Sequence, residues 1–201
     1  MNHPLTSPSR ALRSLWLVPV TAIVLAGCSG APATSTPAGS PAASAAATVA
    51  ASPADVTFAQ QMIGHHEQAV QMSDILLGKP GLSTEIKELA TAIKDAQQPE
   101  IDRMRGWLKE WGQPEVGAHA AHDPSHGMLD AAGLKALQDA DTLAATKLFL
   151  EGMIAHHEGA VAMAESVLAT GSDPRVKQLA EDVVRTQKTE ITLMQELLVG
   201  F

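Results

Sequence analysis

Two stretches of this sequence carry side chains that could hold a soft metal ion: MIGHHEQAVQM at residues 62–72 and MIAHHEGAVAM at residues 153–163. In each, a methionine stands one helical turn before two adjacent histidines, and a second methionine follows. The two sets are Met62, His65, His66, Met72 and Met153, His156, His157, Met163. Helical residues three or four apart bring their Cβ atoms within about 5–6 Å, close enough for imidazole and thioether to share one ion. A single methionine on an apolar stripe usually fills core space. A single histidine there is usually a hydrogen-bonded core residue. Adjacent histidines beside methionine, written twice, point to metal binding instead. The chain has one cysteine, Cys28, near its start, so thiolate ligation is closed to the rest. Imidazole plus thioether suits copper, and thioether favours Cu(I). Zinc would more often bring cysteine or carboxylate. Iron in a bundle would bring Glu-x-x-His, which the paired histidines lack.

The elements that must position these groups follow from a longer repeat. FAQQMIGHHEQAVQMSDILL at 58–77 aligns with FLEGMIAHHEGAVAMAESVL at 149–168, and IKELATAIKDAQQPEIDRM at 86–104 with VKQLAEDVVRTQKTEITLM at 176–194. Each repeat reads as helix, Gly/Pro turn, helix. Helical periodicity puts Phe58, Met62, His65, Ala69, Met72 and Leu76 on one stripe, with His66 at its edge. The partner helices carry stripes that include Gln97, Glu100 and Met104, matched by Gln187, Glu190 and Met194. Buried polar groups of this kind must be hydrogen-bonded or ligate something. Met104 and Met194 are supporting thioethers in this scheme. Gln97, Glu100, Gln187 and Glu190 would hold the imidazoles from behind, the two glutamates being able to ligate as well.

These features predict an all-α, ferritin-like, antiparallel four-helix bundle of two repeated hairpins, with long helices near 54–77, 84–111, 141–170 and 174–199. The repeats span about 55–108 and 146–198, joined by a crossover at 112–141 whose second half, from about Leu129, reads as a short helix. Pro99 should kink the second helix. At about 1.5 Å per residue, His65 and Gln97 share a level, and a pseudo-two-fold along the bundle would bring both histidine pairs to one layer. Met72 and Met163 would then lie about 10 Å along the axis in a neighbouring layer. The crossover's His119, His122, His126 and Met128 form a second, more exposed candidate site beside the alternative of a solvated loop.

The start of the chain is an address. Arg10 and Arg13 precede an apolar run, Leu15 to Ala26, too short for a span of about 20 residues. LAGC, ending at Cys28, resembles a bacterial lipobox. Residues 1–27 are expected to be a lipoprotein signal peptide. Residues 28–53, rich in Ala, Pro, Ser and Thr, would then be a lipidated, disordered tether, with 54–201 the metal-binding domain. The net charge of −8 argues against a nucleic-acid partner and favours cations.

The doubled F…MI.HH..AV.M pattern, over about Asp55 to Leu198, resembles the CopM-like family, a domain of unknown function. The resemblance implies a ferritin-like four-helix bundle outside the cytoplasm, and in some members copper binding through Met and His with a part in copper tolerance. The family commonly has an aspartate shortly before the Phe-Leu of the second repeat. Asp55 holds that place in the first repeat here, and Thr146 in the second, so a site served by that acid would be altered in the second half.

The leading expectation is a lipid-anchored extracytoplasmic protein that buffers copper or hands it to an accepting protein. No Ser-His-Asp order, Gly-rich phosphate loop or cysteine nucleophile suggests an enzyme. Two alternatives stay open: a ferritin-like metal oxidoreductase using Glu100, Glu190 and the histidines, and a structural lipoprotein with internal histidine hydrogen bonds. One shared metal site and two separate sites are equally compatible with the repeat.

Overall fold

The computed structural model describes residues 51–115 and 126–201. Cys28, His119 and His122 lie outside the described residues. Five helices follow in order: α1 Pro53–Leu77, α2 Thr84–Glu110, α3 Ala131–Asp139, α4 Thr142–Thr170 and α5 Pro174–Leu198. The described residues contain no strand. Local chemistry sets the ends. Ser52 caps α1 in a reciprocal box with Asp55, while Ser83, Asp130, Asp141 and Asp173 cap the others. Pro53 and Pro174 occupy the first helical position, where a missing N–H costs nothing. Pro99 is exposed and α2 runs on through it.

Backbone contact is extensive within each hairpin, α1 with α2 and α4 with α5. It is moderate between α1 and α4. The short α3 packs outside, against α1 and α4. The start of α1 sits beside the α4–α5 turn: Asp55 accepts from the Ser172 amide and hydroxyl and from the Asp173 amide, at 3.0–3.1 Å. Phe58 and Met62 share one apolar cluster with Met163, Val167 and Val176. Hence α1 and α4 run in opposite directions, as do α2 and α5. The two hairpins are therefore related by a pseudo-two-fold across the bundle, not along it as the spacing suggested. Residues midway along α1 and α4 meet under either symmetry, but the methionines sort differently. Residues His126 to Leu129 lie across the α1–α4 face.

The core is apolar at its two ends. One cluster holds Met62, Met104 and Met163, and the other holds Met72, Met153 and Met194. Each end thus draws its three methionines from both repeats. Between the clusters lies a buried polar layer.

Candidate metal centre

That layer is built from α1 and α4. His65, His66, His156 and His157 are all at most 1% exposed. They form a row of rings, with centroid separations of 6.5 Å from His66 to His65, 3.6 Å from His65 to His156 and 6.3 Å from His156 to His157. The central pair meets on the pseudo-two-fold, tilted by 33°. The outer rings are held from the partner helices. His66 Nε2 lies 2.8 Å from Glu100 Oε2, and His157 Nε2 lies 2.7 Å from Glu190 Oε2. A carboxylate only accepts, so each Nε2 carries a proton. Gln97 and Gln187 flank the same glutamates around a small cavity between α2 and α5.

The central pair is asymmetric. His65 Nε2 donates to the His126 carbonyl at 3.0 Å. His156 has no such bond. Both of its ring nitrogens are buried without a partner, as are the Nδ1 atoms of His65, His66 and His157. Buried nitrogens are normally satisfied, and each exception calls for a cause. Burial pushes the His65 imidazole down to about 3, against the opposing effect of its bond to His126, with the neighbouring imidazoles adding to the depression. His156 lies well below the usual range, through burial first and its imidazole neighbours second, against a weaker opposing effect of the His65 backbone, which lies beyond ordinary hydrogen-bond reach. Both rings are neutral at physiological pH, the form in which a lone pair can bind a metal. The group a soft ion needs is therefore present: lone-pair nitrogens in a dry layer with three thioethers on either side. Among the described residues, no three His, Cys, Asp or Glu side chains form a ready-made shell.

The sequence reading missed the strap that closes this layer. Gln68 donates to the Leu129 carbonyl at 2.8 Å and accepts from the Leu129 amide at 2.7 Å. Its counterpart in the second repeat is Gly159, where an added Cβ would stand 1.8 Å from the His126 carbonyl oxygen. Gly127 has φ +72° and fits against the Ala155 carbonyl, with 2.0 Å left for a Cβ. The signal was available, because Gln68 and Gly159 break an otherwise close repeat. Of the second candidate set, two residues are described: His126 gives its carbonyl to His65, and Met128 is buried at 9% exposure. Asp55 has no part in the site. Burial alone would raise its carboxyl, but bonds from Ser52, Ser172 and Asp173 hold it below the usual range. It ties the two hairpins together, and Thr146 only bonds back to the Thr142 carbonyl.

A family profile described as "Domain of unknown function (DUF305)" matches residues 55–198, the whole of both hairpins. The chain belongs to the DUF305 family. A DUF305 fragment from Deinococcus radiodurans is 33% identical with a TM-score of 0.67, covering 75% of this chain and 99% of that one. A putative secreted DUF305 protein from Streptomyces coelicolor is 34% identical with a TM-score of 0.68, covering 73% and 93%. CopM in its Cu(I)-bound form is 30% identical with a TM-score of 0.61, covering 73% and 96%, and matching CopM structures exist with Cu(II) and silver. Among curated proteins, Uncharacterized protein L153 of Acanthamoeba polyphaga mimivirus is 42% identical over 52 residues, or 26% of this chain. The match spans about a third, 34%, of that relative's length. The helical-bundle DUF305 fold is thus common to this chain and to structures that hold copper.

Proposed function

We propose that this DUF305 domain is a copper-binding protein that buffers Cu(I), or hands it on, through the imidazoles of His65, His66, His156 and His157 and the thioethers beside them. The observation that carries this reading is His156: fully buried, neutral, and without a partner for either ring nitrogen. Resemblance to CopM, solved with Cu(I), Cu(II) and silver, supports copper as the ion. The abundance of thioether and the lack of thiolate favour the cuprous state. The two apolar ends each hold three methionines, so thioether is available on both sides of the layer. Met62 and Met153 are one turn from the histidines and are the first candidates. Met72, Met104, Met163 and Met194 would support them. The protein acts as a carrier in this proposal, not as an enzyme, and its partners are the ion and an accepting protein. It sits outside the cytoplasm, held to the membrane by a lipid on Cys28. Among the described residues no helix is long and apolar enough to cross a membrane.

Competition for Cu(I) against a chromogenic chelator tests the site. Wild type should strip the chelator stoichiometrically, and His65→Gln with His156→Gln should not, with helicity retained by circular dichroism. Equal copper uptake by both proteins would remove these histidines from the site. Cys28→Ser tests the anchor, and continued fractionation with membranes would refute lipidation there.

A further inference from the structure

On the far side of the outer histidines, α2 and α5 leave a cavity of about 20 Å³ lined by Gln97, Glu100, Gln187 and Glu190 together with Ala96, Val183 and Thr186. Room for one water-sized occupant begins at roughly 10–15 Å³. The cavity therefore takes a single small guest. Its polar lining consists of two matched pairs from the repeat. Gln97 and Gln187 are each 3% exposed, and Oε1 of each is buried without a hydrogen-bond partner. Neither amide bonds to the glutamates that share the cavity, and these four residues make no other side-chain bond than those of Glu100 to His66 and Glu190 to His157. Those bonds use one oxygen of each carboxylate and leave the other. Glu100 and Glu190 are 19% and 17% exposed, so the cavity communicates with solvent while the imidazoles behind it do not.

Two carboxylates repel one another in this narrow space, and no protein donor reaches either glutamine Oε1. A cation would relieve that repulsion and satisfy the amide oxygens together. Oxygen donors of this kind suit a hard divalent ion, of the Mg²⁺ or Mn²⁺ class, and not a soft one. We infer that Gln97, Glu100, Gln187 and Glu190 form a second cation site, specific for a hard divalent ion and separate from the imidazole and thioether layer. The inference stands independently of copper binding. The two sites share the His–Glu bonds as their common wall, so an ion in the outer site would pull on the carboxylates that orient His66 and His157.

Mn²⁺ is the probe, with free ion counted by electron paramagnetic resonance during titration of the purified chain. Wild type should hold one Mn²⁺, and Gln97→Leu with Gln187→Leu should lower the affinity at least tenfold while the far-UV spectrum is unchanged. Glu100→Gln with Glu190→Gln keeps an acceptor for each imidazole, removes both charges, and should lose the ion as well. Wild type saturated with Ag⁺, which goes to sulfur and nitrogen, should still bind Mn²⁺. Absence of stoichiometric Mn²⁺ in wild type overturns the inference, leaving a cavity for water. So does equal binding in either double variant, which would place Mn²⁺ on other surface acids. Displacement of Mn²⁺ by Ag⁺ overturns the separation of the two sites. Failure of Ag⁺ to bind at all would count against the copper proposal alone.

Discussion

Replacing His156 with leucine should stabilise the metal-free protein and abolish its response to copper. His156 is fully buried, and neither ring nitrogen has a hydrogen-bond partner. An unsatisfied buried polar atom costs about 1–3 kcal/mol. Relief of two such atoms is worth roughly 2–6 kcal/mol by the same scale. Against this stand the ring contact with His65 at 3.6 Å, worth about 0.5–1.5 kcal/mol, and a packing mismatch of up to about 1.5 kcal/mol for a swap of similar volume. At the middle of each range the net gain is about 2 kcal/mol, and a domain of this size shifts by roughly 2–4 °C for each kcal/mol. The melting temperature of metal-free His156→Leu should therefore rise by roughly 4–8 °C. Wild type with free Cu(I) at a hundred times its dissociation constant gains about 2.7 kcal/mol, and the variant should gain little. Thermal melts of both proteins, with and without Cu(I) under anaerobic conditions, give all four values. A metal-free variant that melts several degrees below wild type would show that His156 is satisfied and structural, and the case for ligation would fall with it.

Three other outcomes follow from the same structure. Asp55→Ala removes the acceptor for five groups of Ser52, Ser172 and Asp173 and should cost roughly 2–4 kcal/mol in urea melts. Because the folded carboxyl of Asp55 is held below its unfolded value, its contribution is complete above about pH 4 and is lost as pH falls through the folded value; Asp55→Asn should flatten that acid limb. His65 and His156 are depressed in the folded state, so metal-free stability should be full above about pH 6.5 and fall below it by about 1.4 kcal/mol per pH unit for each ring as the unfolded chain takes up protons. Removing one ring should remove one proton from that slope. Gly159→Ala puts a Cβ onto the His126 carbonyl and should cost about 1–3 kcal/mol, with faster hydrogen exchange at the Leu129 amide as the local sign that the strap has lifted.

Much of the fold was legible because its signals are local. Periodicity and Gly/Pro turns put the first helix at 54–77 and the structure has Pro53–Leu77; the others agree within a residue or so. The short helix after Leu129 was visible for the same reason. The direction of the pseudo-two-fold was not, because His65 and His156 lie near the middle of their helices and meet under either symmetry. It took the Asp55 contact with the opposite turn to decide it. The methionines illustrate the consequence. Spacing along one helix separates Met72 from His65 by about 10 Å, yet the opposed direction of α4 sets Met72 in the same apolar cluster as Met153. The strap was equally hidden, since no local propensity says what backbone a buried glutamine will grip. Gln68 and Gly159 become informative only once the two halves are laid side by side.

The symmetry axis that passes between His65 and His156 also bears on dilution. A two-fold interface of this kind is what two identical hairpins would form as a dimer, each presenting the same patch to the other. Such a dimer falls apart when scarce, and any ion held at its seam is released with it. Joining the halves in one chain replaces that bimolecular step by an intramolecular one with an effective concentration in the millimolar range. The row of four rings then stays assembled however few copies of the protein are made.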